Sequence, residues 1–524
     1  MKHTRTTMAA ALSLLLATTG CATTGGSAPD GDTFTITSSL APGALDPSKA
    51  MAGGTNLLLS IGYDTLVSSD EQGRTVPGLA EKWQVTPSSV TYTLRKGITC
   101  SDGSPLTPST VAANVAYDTD PANKSLLYGV VVPVGLTATA DDAARTLTLA
   151  TPQPFSFILE SSAMMYIVCG KGLTDRKLLA QGMSGSGPYE LAQVRPGDRY
   201  TFRLRKDYAW GPSGATSAGM PEKLVVRVVA NEQTSTNLMI GGAVNAAFVQ
   251  GPDRARLKAM PDIRTKDVYS GNAQFLFQQS EGKPTADPAV RKALSMALDV
   301  KDLGLMASSG SGTPPNGMVA EPRPCPSVDF SRYLPRYDVA KAKATLDAAG
   351  WREGAGGVRV KDGRKLSLTL LFPLAQGEAG TATAEYAAAE WKRVGAEVKL
   401  LGVTGGRLDD AISGTLDWDI GALPIGVQLP SMLMGILSGP TPPDGGNFTH
   451  LRNERYETLT GQALGTPGEP GCALWNKAEA SLVENNDIMP IVNLTTTLAT
   501  RNGSLRMLPG LLYPTTIRLQ TEGE

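Results

Sequence analysis

The run from residue 271 to 300, GNAQFLFQQSEGKPTADPAVRKALSMALDV, constrains the fold most. Ala273, Phe275 and Phe277 alternate with Gln274, Leu276 and Gln278, the period of a mostly buried strand. A loop through Gly282 and Pro284 follows. Asp287 and Pro288 then open a helix, because Asp is a good N-cap and the N–H that Pro lacks has no helical partner at that position anyway. Val290, Leu294, Ala297 and Leu298 recur at helical spacing, so one face of that helix is packed. A chain built this way leaves one body and begins a second, and a ligand-binding cleft is expected beside the crossing.

The length agrees. A chain of 524 residues exceeds the roughly 250–300 at which one core stops growing, so at least two lobes are expected. Apolar content of 41% with 19% charged residues is that of a soluble globular protein. A net charge of −1 without basic clusters gives no support to nucleic-acid binding. At the start, Lys2 and Arg5 precede a short apolar run from Met8 to Ala17, which reads as an export signal over residues 1–20. Thr18-Thr19-Gly20-Cys21 resembles a bacterial lipobox with Cys21 as the lipidated residue, although Thr18 stands where Leu is usual. Ordinary secretion with cleavage near Ala22 is the alternative. Residues 21–31 are small and polar and read as a flexible tether from the membrane.

Cys100, Cys169, Cys325 and Cys472 remain, an even number that favours disulfides outside the cytoplasm. Four cysteines allow three connectivities. Cys100–Cys169 with Cys325–Cys472 is the expected pairing, since each bridge then stays within one lobe; free buried thiols are the alternative.

Along the chain, strands are expected at Thr33–Ser38, Val90–Leu94, Arg145–Ala150, Ala163–Val168, Leu224–Val229, Leu366–Phe372, Glu397–Leu401 and Asp417–Leu423, with helices at Asn56–Leu66 and Ala382–Val394. The strand–helix–strand order after residue 366 predicts an α/β lobe with a largely parallel sheet. Trp83 and Trp351 are expected to fill core positions at helix ends, and Gly350 to close the helix before it. Met489–Leu494 and Leu505–Tyr513 are expected to return to the first lobe. Residues 312–326, rich in Pro and Gly, read as a long loop.

Five motifs then carry a resemblance. PGLAEKWQV at 77–85 followed by VTYTLRKGITCSDGSPLTPSTV at 90–111, GSGPY at 185–189, RKDYAW at 205–210, VRKALSMALD at 290–299 and YDVAKAKATLDAAGW at 337–351 occur in the order, and nearly over the full span, of the peptide/nickel-type solute-binding proteins of ABC importers, family 5. The resemblance implies an α/β, two-lobed periplasmic-binding-protein-like fold of type II, the Venus-flytrap form, with a subdomain inserted in the first lobe. Lobe I would comprise 32–61, 183–272 and 488–524, the insert 62–182, and lobe II 273–487. It also implies a polar or peptide-like solute, a permease partner in the cytoplasmic membrane, a monomer without a cofactor, and an extracytoplasmic address.

Counting disfavours catalysis. Only His3 and His450 exist, and His3 leaves with the leader, so no multi-histidine metal site can form and a Ser-His-Asp triad has one possible base. There is no Gly-x-Ser-x-Gly elbow, phosphate-binding loop or His-Glu-x-x-His. Candidate cleft residues are Ala41, Asn272, Gln274, Ile425, Gly426 and Gln428, which end strands or lie at the crossing; Arg407 could meet an anionic group. In peptide-binding members an aspartate near the position of Gln428 pairs with the free amine. A neutral amide there donates and accepts but cannot pair with an ammonium as a charge. That weakens the case for ordinary free peptides and raises modified peptides, oligosaccharides or other neutral solutes. A surface adhesion lipoprotein that kept the fold but lost transport, or an extracellular hydrolase, are the other readings.

Overall fold

A computed structural model describes residues 31–39, 44–49, 53–326, 328–508 and 511–520. Its centre is a ten-stranded mixed sheet. From one edge the strands are Glu397–Val403, Ser367–Pro373, Ile420–Ala422, Arg264–Phe277, Ile488–Thr500, Ala246–Val249, Thr33–Ser38, Lys223–Val228, Arg199–Leu204 and Tyr189–Arg195. Arg264–Phe277 and Ile488–Thr500 are 14 and 13 residues long and lie side by side in the middle. They pair antiparallel from Arg264↔Thr500 to Leu276↔Ile488, with register shifts at Tyr269/Gly271 and at Ala273/Gln274.

The two ends of this long pair belong to different surroundings. At one end Ala246–Val249 pairs with Thr497–Thr500, and Thr33–Ser38 with Lys223–Val228 lies beyond it in parallel. Phe34, Ile36, Phe202, Leu224, Val226 and Leu498 form the core there. At the other end Phe275–Phe277 pairs with Ile420–Ala422. Ser367–Pro373 and Glu397–Val403 then run parallel, joined by helix Gly377–Arg393. Phe275, Phe277, Leu294, Leu368, Leu370 and Trp391 form that core, and the Trp391 indole donates to the Leu294 carbonyl at 2.9 Å. Helix Pro288–Met296 is present as its sequence predicts, with the Asp287 carboxylate accepting from the Ala289 N–H at 2.9 Å.

A four-stranded antiparallel sheet, in the order Ala80–Thr86, Ser89–Leu94, Thr146–Ala150 and Thr137–Asp141, forms a separate subdomain with helix Pro108–Thr119. Its core of Val90, Tyr92, Leu94, Leu147 and Leu149 is continuous with that of Phe448, Tyr456 and Trp475 in the second body. Cys100 is bonded to Cys169, and Cys325 to Cys472.

Several expectations need correction. Residues 163–168 form no strand; the Ile167 and Cys169 amides donate singly to Asp64 and Ser184 carbonyls rather than joining a ladder. Trp83 lies within an edge strand, half-buried, not at a helix end. The first helix is Gly53–Gly62, so Leu66 falls beyond it. The strand expected at 417–423 is only Ile420–Ala422. The strands after residue 366 are parallel as expected, Ser367–Pro373 pairing in parallel with both Glu397–Val403 and Ile420–Ala422, while the two long strands beside them make the whole sheet mixed. Met489–Leu494 is part of one longer strand, Ile488–Thr500, which pairs along its length with Arg264–Phe277 and at its end with Ala246–Val249.

Candidate functional site

The long central strands bring four of the sequence-predicted residues together. The Asn272 amide donates to the Ile425 carbonyl at 2.9 Å, and the Ile425 amide donates back to the Asn272 carbonyl at 3.2 Å. Gly426 stands so close to Gly271 that a β-carbon added to Gly426 would lie 3.3 Å from the Gly271 α-carbon. Gly271 has a φ of 125°, a conformation that favours glycine, at the first register shift. Gln274 follows at the second shift. Asn272 and Gln274 are each 1% exposed.

These side chains are short of partners. The Asn272 carboxamide donates to the Gly317 carbonyl at 2.8 Å, while its oxygen accepts nothing among the described residues. Both polar atoms of Gln274 lack a protein partner, as do the Tyr269 hydroxyl and the Asn493 carboxamide oxygen. A buried polar group left unpaired costs about 1–3 kcal/mol. Five such atoms at one crossing form a polar site that the protein alone does not satisfy. Asn493 faces Asn272 across the strand pair and donates to Asn316 at 2.6 Å. Tyr269 and Asn493 escaped the sequence reading. The signal for Asn493 was a lone amide inside the apolar run Ile491 to Leu494.

The loop predicted from its Pro and Gly content is a strap across this crossing whose middle, Gly317 to Ala320, is buried. Thr313 and Asn493 exchange backbone hydrogen bonds at 3.1 and 2.9 Å, and the Ala320 amide donates to the Val427 carbonyl at 2.7 Å. Met318 donates its N–H to the Glu479 carboxylate at 3.0 Å, and the Cys325–Cys472 bridge anchors the end of the strap. Burial pushes the Glu479 carboxyl above its ordinary range; the Met318 N–H and the Arg323 charge work against that shift.

The other candidates are placed less tightly. Gln428 is half-buried, and its side chain has no partner among the described residues. Arg407 is exposed on helix Gly405–Ile412, without an ion pair among the described residues. Ala41 and Cys21 lie outside the described residues. The carboxylates of Asp417 and Asp419 both bind Lys283, at 2.7 and 3.2 Å, and Asp419 also accepts the Thr369 N–H. His450 is half-buried, and burial together with Arg452 holds its imidazole below the usual range. Among the described residues no group of three or more His, Cys, Asp or Glu could hold a metal ion, and no helix is long and apolar enough to cross a membrane.

A second polar place lies between the first body and the subdomain. A cavity of about 50 Å³ is lined by Tyr63, Asp64, Tyr166, Tyr208 and Tyr513 among others. Asp64 accepts from the Tyr208 hydroxyl at 2.9 Å, the Ser186 hydroxyl at 2.9 Å and the Trp210 indole at 3.1 Å. Burial nevertheless raises its pKa to about 6, against the opposing effect of those three donors.

The arrangement can bind, and it matches known proteins that bind. Residues 74–443 match the model of the bacterial extracellular solute-binding proteins, family 5 Middle. The chain is 28% identical over 404 residues to protein XP55 of Streptomyces lividans, covering 76% of this chain and 72% of that protein. It is also 28% identical over 318 residues to the glutathione-binding protein GsiB of Shigella dysenteriae, covering 59% of this chain and 60% of that protein. A crystal structure of a substrate-binding protein from Microbacterium hydrocarbonoxydans, complexed with 4-hydroxybenzoate hydrazide, superposes with a TM-score of 0.79 at 28% identity, over 93% of this chain and 100% of that one. The family match spans most of the chain and the two-lobed fold agrees with it: this protein belongs to family 5 of the bacterial extracellular solute-binding proteins, the peptide- and nickel-type binding components of ABC importers.

Proposed function

We propose that this chain captures an uncharged polar or peptide-like solute at the crossing of its two long strands and hands it to a membrane permease, working as a monomer tethered to the outer face of the cytoplasmic membrane through lipid on Cys21. In this reading lobe I comprises 32–61, 183–272 and 488–524, the insert 62–182, and lobe II 273–487. The lobes bend about residues 269–274 and 490–495, where two bulges weaken the ladder. Closure excludes water and strengthens each polar contact with the solute.

The observation that carries the cargo class is the set of carboxamides at the crossing. Asn272, Gln274 and Asn493 hold buried polar atoms without a partner among the described residues, and Gln428 adds a half-buried amide. Amides both donate and accept, which suits a peptide bond, a carboxamide, a hydrazide or a hydroxyl, and offers no countercharge to an ammonium group. Relatives that bind glutathione or 4-hydroxybenzoate hydrazide supply two probes with amide-type groups.

The test is native mass spectrometry of the purified protein for a retained solute, followed by calorimetry with those probes and a free dipeptide. A neutral amide- or hydroxyl-bearing solute is expected to bind, and Gln428→Ala to weaken it about tenfold, the loss of one or two hydrogen bonds. The melting temperature of the unliganded variant should equal that of the native chain. Tight binding only of a solute whose free amine is essential would overturn the cargo class.

A further inference from the structure

The crossing strands join the two bodies at one place, but a second contact joins them far away in sequence. The Ser156 hydroxyl, in the subdomain, reaches the end of helix Glu454–Leu464 and lies 2.6 Å from the Ala463 carbonyl, 2.8 Å from that of Leu464 and 3.3 Å from that of Thr466. Carbonyls in the last turn of a helix have no partner within it, so a hydroxyl from another body completes a cap there. Beside it Phe157 and Trp475 pack with ring centroids 5.8 Å apart and planes tilted by 40°, and both are buried. Further along the same seam, helix Pro430–Leu437 lies directly on the subdomain loop around Gly129. A β-carbon added to Gly435 would sit 2.7 Å from the Gly129 carbonyl oxygen and 3.0 Å from a Val130 methyl. Only a glycine lets these backbones meet.

We infer that this seam is a catch: Ser156, Phe157 and Gly435 are positioning residues that set how much of the protein is closed, and hence its affinity, without touching the solute. The inference rests on the reading of the chain as a clamp. The subdomain belongs to the lobe that carries residues 33–38, whereas residues 430–475 belong to the other, so all three contacts break when the lobes part. Apparent affinity scales with the fraction of molecules able to close. Each seam contact therefore raises affinity for any solute alike, while the amides at the crossing select among solutes.

The two substitutions act differently on the folded bodies. Ser156→Ala removes one hydrogen-bond donor at the seam. Gly435→Ala adds a methyl that collides only in the closed form, while inside the helix alanine is the better helix former. The second variant thus separates loss of closure from loss of stability.

The experiment is single-molecule energy transfer on the full, solute-free chain, with dyes attached through unnatural amino acids at the exposed positions Gln153 and Glu469. The native chain is expected to sample a short-distance state. Ser156→Ala should lower its population relative to the open state about three- to tenfold, the range for one hydrogen bond, and Gly435→Ala should remove it. The melting temperature of Gly435→Ala should be unchanged or higher. A native chain with no short-distance state, or distributions unmoved by both substitutions, overturns the catch. No solute enters the measurement, so a failed solute screen bears on the cargo class and leaves this result separate.

Discussion

Asp64 shows how much one buried side chain records about its surroundings. It joins three segments, because Tyr208, Trp210 and Ser186 all donate to it. Burial still dominates and lifts its pKa from 3.8 to about 6. A carboxyl whose folded pKa lies above its unfolded value binds more protons when folded, so it favours folding most below about pH 4 and loses that contribution as pH rises to about 6. Stability should therefore fall across this window, by on the order of 2 kcal/mol from this residue. Thermal melts from pH 4 to 6 should show Asp64→Asn with a flatter slope than the native chain; parallel slopes would remove Asp64 as the cause. From the sequence, Asp64 was one more acid among 49 acidic residues, and nothing local marked it, since its three donors arrive from residues more than a hundred positions away.

At the scale of elements, local rules performed well where an element's own residues decide its form. Asp287 and Pro288 start their helix as a cap and a first-turn proline should. Gly350, with a φ of 87°, follows helix Val339–Ala348 in the left-handed conformation that ends helices. Local rules failed where a neighbour decides. Residues 163–168 are apolar enough for a strand, yet no strand edge is offered to them. The strap at 312–326 reads as a loop from its Pro and Gly, and it is irregular; the burial of its middle, with Met318 at 0% exposure, comes from Glu479, Val427 and Asn493. Its bridge to Cys472 should hold it down. Replacing Cys325 and Cys472 together by serine is expected to cost about 2–4 kcal/mol in denaturant unfolding. Hydrogen exchange should quicken over 312–326 and remain unchanged in the subdomain; uniform quickening would mean that the bridge stabilises the whole chain rather than the strap.

For the whole molecule, the long strand pair is both the spine of the sheet and its weakest line, because register shifts at Tyr269/Gly271 and Ala273/Gln274 interrupt the ladder in mid-sheet. Local stability follows the continuity of hydrogen bonding and packing. Amides from 269 to 274 should therefore exchange faster than those near Arg264 or Phe277, and a bound solute should slow them; equal rates along the strand would argue against a hinge there. The sequence by itself determined the period of the strand at 273–278, the helix caps and the ordered motifs of family 5. It also favoured one pairing of four cysteines, since these depend on neighbours along the chain or on keeping each bridge within a lobe. Tertiary structure alone decided that Asn272 meets Gly317 and Asn493 meets Asn316, that Gly426 abuts Gly271, and that Ser156 caps a helix some 300 residues away. A side chain's identity is local, whereas the partner that leaves it satisfied or wanting is chosen by how separate segments pack.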